Sequence, residues 1–434
     1  LLQVLCRDAK TGFYAQEGMI CVGLCWIIMS LLGALPFYFS RQIPRYIDAL
    51  FEIVSGFTTT GASVLPQVEN LSRGILYWRS FSHWLGGMGV LVFLLAVIHG
   101  GKGSTATGFT LHLLRAESPG PEVGKLVPHM RRSATVLYVI YVVLTLLNIV
   151  FLRIGDMPWF DSVCTAFGTA GTGGFGIKND SMASYSPYLQ NVCTVFMLLL
   201  GVNFNLYFLL CLKQARNALK DEELHLYVCI VTASVLLIAW NIRPLYHTLS
   251  ETFRHAAFQV ATIITTTGFA TTNFDLWPTF SKSLLLCLMV VGACAGSTGG
   301  GIKCARVLLL LKSLRRSVTR VLHPQKVQCV RVNGHAVNEQ VLAGTNAYLA
   351  AYVVIIMVSF LIISLDEFSI STNFSAVIAC FNNIGPGLEM VGPSGNYGQF
   401  SDVSKVVLIF DMLAGRLEIF PILSLITTPT LARR

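Results

Sequence analysis

The chain reads as an all-α polytopic membrane protein, with four span–re-entrant pore helix–span repeats in a pseudo-fourfold arrangement around a central pore. Three observations predict this. Of 434 residues, 54% are hydrophobic and only 12% charged, against roughly 25% charged in soluble domains. Long runs carry no Asp, Glu, Lys or Arg: 18–40, 133–152, 186–212, 224–242, 283–302 and 341–365. A polar segment, Phe57-Thr58-Thr59-Thr60-Gly61-Ala62-Ser63, also interrupts the apolar pattern and recurs in altered form further on.

Each uncharged run approaches or exceeds the ~20 residues that cross a ~30 Å hydrocarbon core. Two further spans are less clean: 81–98 bears glycines, and 406–431 contains Asp411, Arg416 and Glu418. The expected total is eight. The net charge of +9 does not indicate nucleic-acid binding, because the basic residues sit in alternate loops. Lys102, Arg115, Lys125, Arg131 and Arg132 follow span two, and Lys213, Arg216 and Lys220 follow span four. Lys303, Arg306, Lys312, Arg315, Arg316, Arg320, Lys326 and Arg331 follow span six. This positive-inside pattern puts those loops and both termini in the cytoplasm. Lys303 and Arg306 read as markers of the membrane boundary. Of twelve cysteines, Cys21, Cys25, Cys193, Cys211, Cys229, Cys287 and Cys294 fall within spans. Without CxxC or metal-ligand spacing, they read as small hydrophobes of the core. No cleavable signal peptide is expected, and Leu1 in place of Met suggests a truncated or processed start.

The repeats emerge in chain order. After span one comes the short amphipathic stretch 48–54, with Asp48 as its expected N-cap, and then the threonine segment. Arg73 and Arg79 precede span two, whose Gly86, Gly87 and Gly89 permit close helix packing in lipid. Span three leads through Asp161-Ser162-Val163-Cys164 to Gly171-Thr172-Gly173-Gly174-Phe175-Gly176. Thr265-Thr266-Thr267-Gly268-Phe269-Ala270 and Asn382-Asn383-Ile384-Gly385-Pro386-Gly387 are the third and fourth copies. Asp48, Asp161 and Thr372 each lie thirteen residues before Gly61, Gly174 and Gly385. The third copy departs, with His255 at that offset and Ser250 as a cap for a longer helix. The four glycines are separated by 113, 94 and 117 residues. Internal repetition of this kind marks transport architectures. The expected boundaries are a cytoplasmic segment 1–17, repeat one 18–99, a cytoplasmic linker 100–132 and repeat two 133–212. A loop 213–223, repeat three 224–312, a loop 313–340 and repeat four 341–434 follow. Within that last loop, Asn333-Gly334 between short β-type runs reads as a hairpin turn.

Non-helical backbone at membrane depth survives only where it is buried in protein or lines a watery cavity. A re-entrant helix points its partially negative C-terminus toward the middle of the membrane. Four converging ends favour a cation. Glycine allows dihedrals that turn successive carbonyls inward, and rings of carbonyls can replace an ion's hydration shell. The candidate ring is Gly61, Gly174, Gly268 and Gly385, with Thr60, Gly173, Thr267 and Ile384 before them and Thr59, Thr172, Thr266 and Asn383 before those. The second copy is more glycine-rich than its sisters, which leaves its register open. Span six contains Gly292, Gly296, Ser297, Thr298, Gly299, Gly300 and Gly301. Each glycine costs about 1 kcal/mol in a helix interior, so the span should break midway. Arg416 lies inside span eight, where a charge faces the protein interior or a water path; an ion pair with Asp411 or Glu418 is the plain alternative. Glu389 and Asp402 read as ordinary loop charges.

The chain resembles the membrane subunits of the Trk/Ktr/HKT superfamily of potassium transporters, closest to the TrkH type. The resemblance is carried by residues 58–63, 84–89, 116–121, 265–271, 292–301 and 415–420, and runs from about Gly18 to the C-terminus. It implies potassium uptake across a bacterial cytoplasmic membrane, with no cofactor in this chain. It further implies a homodimer among membrane lipid and a cytoplasmic TrkA/KtrA-like regulatory subunit that binds the nucleotide. Members of this type usually carry a further helix pair ahead of the first repeat. In plant relatives serine at the first filter position accompanies sodium transport, so Gly61 favours potassium. The resemblance places residues 292–301 and Arg416 at an intramembrane gate. A secondary transporter with discontinuous helices around a midplane site is the rival reading, and would predict two long halves. A membrane enzyme is not indicated: HExxH, GxSxG and paired intramembrane carboxylates are all missing.

Overall fold

The computed structural model describes residues 15–89, 130–325 and 328–427. The expected segment 1–17, the end of span two, most of the linker 100–132 and the last residues of span eight lie wholly or largely outside the described residues. Repeat one comprises α1 (Ala15–Gly33) with its short continuation α2 (Leu35–Phe39), pore helix α3 (Tyr46–Phe57) and α4 (Arg73–Gly87). Repeat two comprises α5 (Met130–Ile154), pore helix α6 (Trp159–Gly171), α7 (Pro187–Leu200) and α8 (Phe204–Cys211), followed by the short α9 (Ala215–Leu219). Repeat three comprises α10 (Glu222–Ile242), pore helix α11 (Leu249–Ile264), α12 (Thr279–Val291) and α13 (Cys304–Leu322). Repeat four comprises α14 (Glu339–Ile363), pore helix α15 (Ile370–Phe381), α16 (Asp402–Arg416) and α17 (Phe420–Thr427). Between them β1 (Arg331–Val332) pairs antiparallel with β2 (His335–Ala336). Asn333 and Gly334 both have positive φ there, as the expected hairpin turn requires.

Burial runs opposite to that of a soluble protein. The first helix of each repeat turns large apolar side chains outward: Leu32 on α1, Leu146 on α5, Trp240 on α10 and Leu361 on α14 are all exposed. The pore helices are enclosed instead, with Phe51, Ile53, Ala166, Val260, Ile263, Ala376 and Val377 buried. Lipid covers an apolar outside as well as a core does, so polarity can collect at the centre. Glycine sets the closest approaches. A Cβ on Gly86 of α4 would lie under 3.0 Å from the Phe57 carbonyl, and one on Gly415 of α16 equally close to that of Phe381. Repeats one and four thus press the second helix onto the end of the pore helix in the same way.

Two expectations are corrected. Asp48, Asp161 and Thr372 are not N-caps but the third residues of their helices, behind Arg45, Pro158 and Ser369. The third copy obeys the same plan with Thr248 as cap and Glu251 third. Its helix has 16 residues against 12, 13 and 12, and the extra turn displaces the signal. An acid is stabilised both at the cap and in the first turn, so composition alone does not separate the two positions. The second spans of repeats two and four, moreover, are not continuous. α7 and α8 meet at 86°, and α16 and α17 are separated by Glu418 and Ile419 at positive φ. Only the break in span six was expected.

Gly415→Val should force α16 from the Phe381 carbonyl and destabilise the fold by roughly 1–3 kcal/mol, the usual range for overpacking. A lowered thermal transition of the purified protein, with helix content kept at about 20 °C, is the expected measurement.

Candidate functional site

The four segments after the pore helices share one backbone construction. Thr59, Thr172, Thr266 and Asn383 all lie in the left-handed region, at φ of 56°, 55°, 56° and 56°. Two residues on, Gly61, Gly174, Gly268 and Gly385 have φ of 78°, 76°, 87° and 92°. The amides of Thr60, Gly173, Thr267 and Ile384 each return 2.8 Å to a carbonyl of their own pore helix, on Ser55, Gly168, Thr262 and Ala379. This pattern resolves the register of the second copy: Gly173 and Gly174 stand where Thr60 and Gly61 stand in the first.

The copies also close on one another in a cycle. A Cβ on Gly61 would lie under 3.0 Å from the Gly173 oxygen, and one on Gly174 from that of Thr267. One on Gly268 would meet Ile384, and one on Gly385 would meet Thr60. Each glycine therefore abuts the carbonyl of the next copy, in the order one, two, three, four, one. Among the described residues those four carbonyls accept no hydrogen bond. A cavity of about 120 Å³ opens on the side of Ala62 and Phe175 and is lined by all four glycines.

Side chains brace each strand differently. Thr58 and Thr60 share a hydroxyl contact of 2.8 Å, as do Thr265 and Thr267. Asn383 Nδ2 donates to Thr60 Oγ1 at 3.0 Å and to the Met412 carbonyl at 2.9 Å, tying copy four to copy one. Glu52 and Arg79 form a buried ion pair at 2.5 Å. Glu52 also accepts from Ser63 Oγ and the Val64 amide, while Arg79 donates to the Gly176 carbonyl. Arg79 therefore belongs to span two rather than preceding it. His83, one turn further along α4, is fully buried against copy two. Sequence reasoning missed Glu52 and His83; an acid inside a short apolar helix was the available signal for the first.

Beneath the strands, on the side opposite the cavity, lies the glycine-rich loop between α12 and α13. It doubles back on itself: the Ile302, Lys303 and Cys304 amides donate to the Val290, Val291 and Ala293 carbonyls. The Gly300 amide donates to Thr266 Oγ1 at 2.6 Å. A Cβ on Gly299 would crowd the Thr265 carbonyl, and one on Gly300 that of Asn382. Gly296 instead faces repeat two, where its carbonyl accepts from the Phe204 amide, and Ser297 Oγ bonds to the Cys294 carbonyl. Gly292 and Gly301 touch at the neck of the loop. Arg416 meets the loop from the other side, donating to the Thr298 carbonyl at 2.8 Å. It also reaches the Gly86 and Gly87 carbonyls and, at 3.4 Å, Thr59 Oγ1. The simple ion pairs considered for Arg416 are occupied otherwise: Glu418 pairs with Arg306, and Asp411 accepts from Ser359.

Lys303 and Arg306 are 2% and 6% exposed, so both lie inside the protein rather than on its surface. Lys303 Nζ donates to the Gly299 carbonyl, and Arg306 lies 3.9 Å from the centre of the Tyr348 ring. Glu223, buried at the start of α10, holds the loop from the third direction by accepting the Ala295 amide at 2.6 Å. Glu389 accepts from Ser369 and Thr372 at the start of α15, and Asp402 pairs with Arg45. The four filter glycines and the carbonyls before them converge; of the loop, Gly300 reaches the candidates at Thr266 and Asn383, while Gly299 abuts Thr265 and Thr298 meets Arg416.

The family model described as TrkH, cation transport protein, matches residues 1–243 and 245–429. The Trk system potassium uptake protein TrkH of Salmonella typhimurium is 36% identical over 438 residues, covering 98% of this chain and 88% of the relative. The Trk system potassium uptake protein TrkG of Escherichia coli is 32% identical over 420 residues, covering 94% and 84%. The crystal structure of the potassium transporter TrkH from Vibrio parahaemolyticus superposes with a TM-score of 0.86 at 33% identity, covering 98% of this chain and 88% of that one.

Glu223→Ala leaves the buried Ala295 amide without its acceptor, a loss of about 1–3 kcal/mol. Amide hydrogen exchange across 292–303 should quicken about fivefold or more while exchange in α14 stays unchanged.

Proposed function

The chain belongs to the TrkH family of cation transport proteins, a family of transporters and not of enzymes, and from that membership we propose that it takes up potassium across a bacterial cytoplasmic membrane. The cyclic abutment of Gly61, Gly174, Gly268 and Gly385 on the preceding carbonyls of the next copy carries this reading. Four carbonyls that accept no hydrogen bond among the described residues can take over part of a cation's hydration shell. The C-terminal ends of four pore helices add partial negative charge without a titrating group. The names of the relatives supply potassium as the ion. Four equivalent strands, rather than two halves about a midplane site, weigh against the secondary-transporter alternative.

Residues 292–301 and Arg416 form the gate in this reading. The guanidinium contacts both the loop and Thr59, so a cation leaving the ring meets a fixed positive charge and a closed backbone together. The repeat boundaries 18–99, 133–212, 224–312 and 341–434 describe the pore units, with the termini and basic loops cytoplasmic. A homodimer in lipid, regulated by a cytoplasmic nucleotide-binding subunit, completes the proposal. No cofactor is assigned to this chain.

Flux of Rb⁺, K⁺ and Na⁺ into liposomes holding this protein tests the reading. Gly61→Ser adds a side chain against the Gly173 carbonyl at a backbone position of φ 78°. The K⁺ to Na⁺ uptake ratio should fall about tenfold, and an unchanged ratio would count against the filter. Arg416→Ala should raise K⁺ flux several-fold, roughly as expected when ~1 kcal/mol of barrier is removed. Unaltered flux in both this variant and a deletion of 297–300 would exclude the gate.

A further inference from the structure

We propose that His83 positions the second filter strand and thereby sets ion discrimination, standing where other copies place a side chain of their own. This rests on the filter reading above. In copies one and three the residue before the filter glycine is a threonine locked to a partner threonine. In copy four it is Ile384, fully buried. In copy two it is Gly173, and Gly171 replaces the partner. Glycine has the most backbone freedom to lose, so this strand needs an external support.

His83 supplies it. A Cβ on Gly173 would lie under 3.0 Å from Cγ, Nδ1 and Cδ2 of the His83 ring. Gly173 lies outside the left-handed region, so the backbone there would accept an ordinary residue. The ring, not the dihedral, excludes a side chain. His83 Nδ1 lies 2.8 Å from the Gly56 carbonyl, and Nε2 lies 3.3 Å from the Phe175 amide nitrogen. The amide can only donate, so Nε2 accepts and Nδ1 carries the proton to Gly56. One neutral imidazole thus bridges pore helix α3 of copy one and the strand of copy two.

Arg79 completes the brace on the same face of α4. Its guanidinium sits 3.6 Å from the centre of the Phe175 ring and donates to the Gly176 carbonyl at 2.9 Å. Phe175 is therefore held by its amide through His83 and by its ring through Arg79. Gly173, whose carbonyl abuts Gly61, lies directly against the imidazole. With the ring removed, that quarter of the carbonyl ring is free to relax toward a smaller ion.

The test compares K⁺ and Na⁺ uptake ratios in liposomes for the full chain and four variants. H83A should lower the ratio about fivefold or more, mainly through Na⁺ entry, while the purified protein elutes like the parent. G173S alone should lower it too, because its side chain collides with the imidazole. The H83A/G173S double variant should recover the ratio to within about twofold, since the added side chain occupies the vacated space. A purely structural role would not give this exchange rescue. A normal ratio in H83A, or a double variant no better than H83A, overturns the proposal. If H83A yields no protein, the double variant decides alone: a normal ratio supports the brace and a collapsed one refutes it. G61S separates the two levels. A ratio moved by G61S but not by H83A removes the brace and keeps the filter, whereas a ratio moved by neither removes the filter itself.

Discussion

Every polar group of a backbone held away from water needs a partner, and the four strands meet that demand unevenly. The left-handed residue at Thr59, Thr172, Thr266 or Asn383 turns the chain back on its pore helix, so that the next amide bonds to a helical carbonyl. Donors are thereby consumed locally. The carbonyls of Thr60, Gly173, Thr267 and Ile384 accept no hydrogen bond among the described residues, and each abuts a glycine of the neighbouring copy. A Cβ at any of the four glycines would push the strands apart. Ring closure, glycine at four places and enclosure of the pore helices are therefore one constraint. The exposed leucines of the outer helices follow from it, because the polar groups are already gathered inside.

A single chain with four unequal copies can solve the same problem by different means. Copies one and three use paired threonines, copy four lends Asn383 to copy one, and copy two leans on α4. Two of the charges near the strands are paired within the protein: Arg79 with Glu52, and Lys405 with Asp48. Buried pairs are weak sources of net stability, yet removing one partner costs about 3–5 kcal/mol. Their contribution here is geometric. Glu52 grips Ser63 and Val64 while its partner grips Gly176, so the strands of copies one and two are fixed relative to each other.

The repeat was legible because it is written in local spacing. Glycine at a fixed distance after a short amphipathic helix survives in the sequence even where the flanking residues differ, and span six announced its break with five glycines. Much of the rest depended on contacts between distant segments. Glu52 and Arg79 are 27 residues apart, and neither reveals that the other is near. The burial of Lys303 and Arg306 was equally hidden, because counting charges sees sequence position and not the loop that folds them inward. The break at Gly201 was hidden for a similar reason. Apolar residues on both sides of it satisfy a hydropathy reading, whereas its freed carbonyl finds a partner in the Cys294 amide of another repeat.

The loop beneath the strands is held from three sides by groups of different origin. Arg416 comes from repeat four, Thr266 from repeat three's own strand, and Glu223 from the N-terminal end of α10. The last of these also bears on the surface that carries the hairpin. Asp221, the cap of α10, accepts from Asn333 Nδ2, and the Glu222 amide donates to Asn333 Oδ1. Lys312 of α13 pairs with Glu222 and also reaches the Arg331 carbonyl. Three successive acids therefore join the hairpin turn, the helix leaving the loop and the loop itself. A rigid helix end that carries all three contacts cannot shift for one without shifting for the others. The position of the loop under the ring and that of the hairpin at the surface are set by the same anchor.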